Sequence, residues 1–186
     1  KILFNENTNI IGQKTIYGFT KLASEMLIEE YNYSTQMEYI INRCGLIYGE
    51  GQYGKVEQGL VSLWLWKHIN KQNLAYFGYS GNGEQIRDAL YISDLCDLIY
   101  LQIKNFKKRK NKTYCVGGGI KNKFSLSELT SICKLITKNK LKIKKIRKTS
   151  IYDIPYYVTD LRMVKKNFRW KPKVTIKIGI KKLICG

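Results

Sequence analysis

Short runs rich in β-branched and aromatic residues alternate with longer segments of helical periodicity along almost all of this 186-residue chain. That alternation restricts the fold more than any other feature. Two parallel strands need a crossover between them, and a helical crossover covers a face of the sheet. Strand–helix succession therefore implies an α/β fold with a mainly parallel sheet. From Thr15 to Tyr31 the apolar positions Phe19, Leu22, Ala23, Met26 and Leu27 recur at helical spacing. Met37–Cys44 reads as a strand running into a glycine-bearing loop, Gly45 to Gly54. Gln58–Lys71 reads as a second helix, and Leu74–Tyr79 as a strand closed by Ser80-Gly81-Asn82-Gly83. A strand at Ala89–Ile92 is followed by Ser93-Asp94, which caps a helix through Gln102. Lys107–Lys112 is a basic surface turn, and Thr113–Val116 is a strand ending in three glycines. Ser125 with Glu128 forms a capping box for the next helix. A strand near Leu141–Ile146, an irregular segment through Pro155, a helix from Asp160 and a last helix near Val174–Leu183 complete the reading.

The rest of the sequence excludes several classes. An apolar fraction of 44% with two prolines is globular composition. No run of eighteen uninterrupted apolar residues occurs, so no helical membrane span is expected. The cysteines Cys44, Cys96, Cys115, Cys133 and Cys185 are odd in number and never paired as Cys-x-x-Cys. Reduced, mostly buried thiols in a cytoplasmic protein follow, with no metal site. A single histidine, His68, leaves little for a His-based metal centre or a Ser-His-Asp triad.

Charge is lopsided. Residues 1–100 carry eight Lys/Arg against eleven Asp/Glu, and residues 101–186 carry twenty-five against three. Such asymmetry points to an anionic partner. Against nucleic acid stands the dominance of Lys over Arg, the residue that reads bases and phosphates bidentately. Lys138, Lys140, Lys142 and Lys144 also alternate with other residues, as on the solvated face of a strand.

Tyr17 and Lys21, four apart on the first predicted helix, share one face one turn apart. An ammonium beside a phenol favours the phenolate, which suits the pair to moving a proton on a sugar hydroxyl. Spacing alone is weak, because Tyr100 and Lys104 repeat it. Tyr17 and Lys21 are expected to converge on one pocket, and Tyr100 and Lys104 are not.

Context separates the two pairs. Tyr17-Gly18-Phe19-Thr20-Lys21-Leu22-Ala23-Ser24-Glu25 resembles the catalytic helix of the extended short-chain dehydrogenase/reductases. Arg43-Cys44-Gly45-Leu46-Ile47-Tyr48-Gly49 continues the match after the next strand. Gly81-Asn82-Gly83-Glu84-Gln85-Ile86-Arg87-Asp88, Tyr91-Ile92-Ser93-Asp94-Leu95 and Trp170-Lys171-Pro172 extend it in the same order, as in the nucleotide-sugar members. Gln52 with Glu57-Gln58-Gly59-Leu60-Val61, and Val116-Gly117-Gly118-Gly119 with Asn122 and Phe124–Leu129, resemble the CDP-paratose 2-epimerase (CDP-tyvelose epimerase) group.

The resemblance implies the C-terminal part of a Rossmann-type doubly wound sheet plus a small α/β substrate-binding domain. Residues 1–57 would end the NAD-binding domain, residues 58–186 would mainly bind the nucleotide-sugar, and residues 88–118 would return to the first sheet. It implies NAD as cofactor, a CDP-linked nucleotide-sugar as substrate, a place in O-antigen sugar synthesis, and a second copy of the chain as a candidate partner. Tyr17 and Lys21 would be the catalytic acid/base pair and would meet NAD together with Gly45. Gln58, Gly59, Tyr76 and Arg87 would bind the substrate, with Arg87 as the diphosphate clamp.

Some of the family pattern is missing. Its glycine-rich phosphate loop belongs to the first strand–helix turn, and only sixteen residues precede Tyr17. Gly117–Gly119 closes a late strand and is no substitute. The chain thus reads as a C-terminal fragment, inactive alone. Leu46 stands where many relatives have a polar substrate-binding residue, and Ser150 where many have a second diphosphate-binding Arg, with Arg147 nearby. The alternatives are a nucleotide-sugar 4,6-dehydratase or 4-epimerase of the same family, a non-catalytic truncated product, or a basic nucleic-acid-binding module.

Overall fold

A computed structural model describes residues 2–55 and 58–185. Glu57, part of the stretch that resembles the CDP-paratose group, lies outside the described residues. The first helix, α1 (Ile16–Thr35), starts at Thr15, whose hydroxyl accepts the Gly18 N–H at 3.0 Å. It runs four residues past the expected end and stops where Gln36 turns left-handed, at φ 61. β1 (Ile40–Cys44) and β2 (Leu46–Tyr48) follow. The sequence reads Leu46–Tyr48 as loop, but Gly45 donates its N–H to the Val116 carbonyl at 2.8 Å and the chain re-enters sheet beyond it. That placement buries Tyr48, which meets the Tyr91 ring edge-on at 5.3 Å and donates to the Thr175 carbonyl at 3.5 Å.

α2 (Leu60–Ile69) begins at Gly59, which holds φ 72, a conformation that costs glycine nothing. After β3 (Leu74–Phe77) and a 3₁₀ turn at Tyr79–Gly81 come β4 (Ile86–Tyr91), α3 (Ile92–Lys104) and the single turn α4 (Phe106–Arg109). Ser93 and Asp94 do not cap α3. They sit inside its first turn, with Tyr91 as the capping residue. β5 (Lys112–Val116) leads to β6 (Lys123–Ser125), a strand with no periodic signal of its own. The expected Ser125–Glu128 capping box opens α5 (Leu126–Thr137), with both reciprocal bonds present. β7 (Ile143–Ile146), α6 (Arg162–Phe168) and α7 (Ile176–Cys185) complete the chain.

Three strand pairs are parallel, β1 with β5, β2 with β4 and β3 with β7, while β6 adds antiparallel to β4. One core gathers Tyr48, Trp64, Leu65, Phe124, Leu129 and Ile180 between α2, α5 and α7. The other joins Leu90, Leu98, Tyr114, Val164 and Phe168 with Trp170. Trp170 of the closing motif donates its indole N–H to the Asp94 carbonyl at 3.0 Å. Asp94 Oδ2 accepts the N–H groups of Lys173 and Val174 at 3.1 and 2.9 Å, so the two motifs form one buried joint.

The lysine-rich stretch departs from the expected strand face. Lys138 ends α5 in the left-handed region, and strand begins only at Ile143. Of the thiols described, Cys115 and Cys133 are buried and Cys44 and Cys96 exposed, fewer buried than expected; the Cys185 side chain lies outside the described part. Among the described residues no helix is long and apolar enough to cross a membrane.

Candidate active site

α1 is tied to the sheet by one strong pair. Glu25 accepts from Arg43 of β1 at 2.7–3.1 Å through both carboxylate oxygens, a bidentate fork. The rest of the helix is loosely held, with no buried residue. Lys21 Nζ lies 5.4 Å from the centre of the Tyr17 ring, so the helical spacing does bring the pair together. Tyr17 is 63% exposed, however, and a shallow cavity lined by Ile11, Lys14, Ile16, Phe19 and Leu22 flanks the pair without including it. The expected convergence on one pocket is therefore not found. Lys104 stands 4.7 Å from the Tyr100 ring in the same manner, so local geometry does not separate the two pairs.

Arg87 lies in a cavity of about 840 Å³. Its wall is the α2 stripe Leu60, Leu63, Trp64 and Lys67, spaced as one helical face. Its floor is one side of the β3–β7 pair: Ala75 is in register with Lys144, and Phe77 and Lys142 lie two residues away on the same side. Gln85 and Arg87 reach in from the segment entering β4. Arg87 is held by Asp153, Nη2 to Oδ1 at 2.6 Å, and by the Ile86 carbonyl at 2.7 Å. Asp88 and Asp94, closer in sequence, are not its partners.

The other expected substrate residues stand apart. Tyr76 turns to the opposite side of β3, stacks on Trp64 at 6.0 Å and donates its hydroxyl to Thr130 at 2.7 Å. It supports the cavity wall from behind rather than lining the cavity. Gly59 immediately precedes Leu60 of the wall, while Gln58 is exposed and bonded through its backbone to Lys55. Lys67, Gln85, Lys142, Lys144 and Asp153 share the cavity with Arg87, and sequence reasoning singled out none of them for it. Only the i, i+3, i+4, i+7 spacing of the α2 stripe could have exposed Lys67.

The three glycines after β5 are a packing device. A Cβ on Gly117 would sit 2.1 Å from Thr159 Oγ1 and 2.7 Å from Asp88 Oδ2, and one on Gly118 would sit 2.1 Å from the Ala89 carbonyl. Protein already fills the space a pyrophosphate would need. Asp88 is fully buried and accepts the Gly119 and Thr159 N–H groups at 2.7 and 3.2 Å. Burial pushes its carboxyl up, and those hydrogen bonds pull it partly back. At Gly45 a Cβ would approach Thr159 Oγ1 and the Tyr157 ring at 3.3 Å. The Tyr157 phenol is pushed up to about 12 by burial, then by the Asp88 charge, so it stays protonated at neutral pH.

The chain combines a parallel-stranded α/β frame, a Tyr–Lys pair on its first helix and an arginine-bearing cavity. The chain belongs to the NAD dependent epimerase/dehydratase family, whose profile matches residues 3–117. It is similar to the CDP-paratose 2-epimerase of Salmonella typhi, 27% identical over 90% of this chain and 50% of that protein. It is also similar to the dTDP-glucose 4,6-dehydratase of Shigella flexneri, 26% identical over 98% of this chain and 49% of that protein. Among solved structures, UDP-glucose 4-epimerase of Thermotoga maritima superposes with a TM-score of 0.85 at 23% identity, over 99% of this chain and 57% of that one. The Rossmann-type α/β fold is thereby established. The chain spans about half the length of the curated relatives it matches.

The family's cofactor is NAD. The residues here fit its nicotinamide end: a phenol and an ammonium lie side by side on α1, and Gly45 follows β1 with no side chain of its own. Among the described residues no glycine loop opens a helix to cradle the pyrophosphate.

Proposed function

We propose that this chain carries the catalytic helix and the nucleotide-sugar lobe of an NAD-dependent nucleotide-sugar epimerase resembling CDP-paratose 2-epimerase. Residues 1–57 would end the NAD-binding domain, and residues 58–186 would bind the nucleotide-sugar, with 88–118 returning to the first sheet. The carrying observation is the Arg87 cavity, which joins a guanidinium to apolar side chains of α2 and β3 in about 840 Å³, a volume in the range of small-ligand sites. Arg87 would clamp the diphosphate, releasing Asp153 as it does so. Tyr17 would take and return a proton at a sugar hydroxyl, with the Lys21 ammonium beside it on the helix. Tyr17, Lys21 and the Gly45 backbone would hold the nicotinamide, which when bound accepts hydride from the sugar and gives it back.

Two titrations of the 186-residue chain test this reading. CDP should bind, and Arg87→Ala should weaken it by about 1.5–3 kcal/mol, the loss expected for a hydrogen bond to a charged group. Equal affinity in the variant would place Arg87 outside the site. NAD should bind only weakly, because among the described residues no glycine loop cradles its pyrophosphate. Tight NAD binding together with turnover of a CDP-sugar would refute the inactivity of the chain on its own. A 4,6-dehydratase of the same family is the second reading, supported by a match running along 98% of the chain. NMR analysis of product from an assembled enzyme distinguishes the two: a 2-epimer with its hydroxyls intact, or a 4-keto-6-deoxy sugar.

A further inference from the structure

We propose that the diphosphate in the Arg87 cavity is gripped by a set of lysines, Lys67, Lys142 and Lys144, acting as point charges around one guanidinium. The assignment rests on the reading that a nucleotide-sugar occupies this cavity. The middle of the cavity is apolar, from Leu60, Leu63 and Trp64 of α2 to Ala75 and Phe77 of β3. The charges sit around it: Lys67 at the far end of the α2 stripe, Lys142 and Lys144 along one side of the β7 segment, and Arg87 on the β4 side. Four cations thus face a single carboxylate, Asp153, and Arg87 already spends one edge of its fork on it.

None of the three lysine ammonium groups makes a hydrogen bond or ion pair among the described residues. Lys67 is only half exposed all the same. Such an excess of unpaired charge repels itself unless an anion enters. A ligand bearing two or more negative charges next to an apolar body satisfies all of these features together. Ser150, near Asp153, supplies no guanidinium to the set. An ammonium is a compact charge on a flexible stem, whereas a guanidinium imposes a fixed fork. This cavity should therefore read the number of charges on the phosphate chain more than its exact geometry.

The test is titration of the full 186-residue chain with CDP, CMP and cytidine at several salt concentrations. Variants are Lys67→Gln, Lys142→Gln, Lys144→Gln, the triple variant, and a control triple on exposed lysines outside the cavity, Lys107, Lys108 and Lys181. CDP should bind more tightly than CMP, and cytidine most weakly. Each single Gln variant should raise Kd for CDP about two- to fivefold, as expected for partly exposed ion pairs. The triple variant should lose on the order of tenfold to a hundredfold and show a shallower salt dependence, with the control near wild type. If Arg87→Ala weakens CDP but the lysine triple does not, the nucleotide reading stands and the lysine assignment is wrong. A control triple as damaging as the cavity triple reduces the effect to overall charge and also overturns the assignment. No CDP binding by the wild type removes the underlying reading and the lysine assignment with it.

Discussion

Asp94→Ala tests what holds the two ends of this lobe together. The carboxylate is 2% exposed, and its Oδ2 accepts two backbone N–H groups, from Lys173 at 3.1 Å and Val174 at 2.9 Å. Alanine removes both and leaves the two donors facing a carbonyl-free space. Hydrogen bonds to a charged group contribute about 1.5–3 kcal/mol each. Because one oxygen serves both donors the losses overlap, and a total of about 3–4 kcal/mol is expected. For a chain of this size each kcal/mol lowers the melting temperature by roughly 2–4 °C, so the variant should melt about 6–16 °C below wild type. The Trp170 bond goes to the Asp94 main chain and survives the substitution. Asp94→Asn keeps one acceptor where the carboxylate had it, and should lose only about 1 kcal/mol. Thermal unfolding followed by circular dichroism and by tryptophan fluorescence measures both variants. An alanine variant within roughly 2 °C of wild type, or an asparagine variant as damaged as alanine, would show that the joint is held by other contacts.

In an enzyme assembled from this chain and an NAD-binding half, Tyr17→Phe should lower turnover by about 10²–10⁴-fold while Tyr100→Phe leaves it unchanged; equal rates for the Tyr17 variant and wild type refute the acid/base role. Gly118→Ala should cost about 2–3 kcal/mol in urea unfolding, because its Cβ would lie 2.1 Å from the Ala89 carbonyl; a variant of undiminished stability would reopen the glycines as a ligand loop. His68 is the single histidine, and burial holds its imidazole below the ordinary 6.5 while the Trp64 carbonyl pulls the other way. The unfolded chain then binds that proton more readily, so stability is full above about pH 6.5 and falls as pH drops below it. His68→Gln should flatten that slope below about pH 6.5, and an unchanged slope would assign the titration to another group.

The order of strands and helices was legible in the sequence because periodicity and caps are local. The Ser125–Glu128 box, the helix carrying Tyr17 and the strand at Thr113–Val116 all answer to residues within a few positions of themselves. The motifs from Tyr17 to Trp170 likewise carried the family, since each is a short contiguous pattern. Arg87 could be named, but not its partner, because Asp153 lies 66 residues away in a segment without periodicity. β2 and β6 escaped notice for a related reason. Three-residue strands have no pattern of their own and exist only because β4 presents both edges to them. The lysines at 142 and 144 looked like an ordinary solvated face until the register of β3 with β7 turned them into a cavity. Local sequence therefore set the elements and the chemistry available, through short-range hydrogen bonding and side-chain spacing. Tertiary packing alone decided which charges share a space, because pairing across sixty or more residues is fixed by strand register and core burial rather than by any neighbour in the chain.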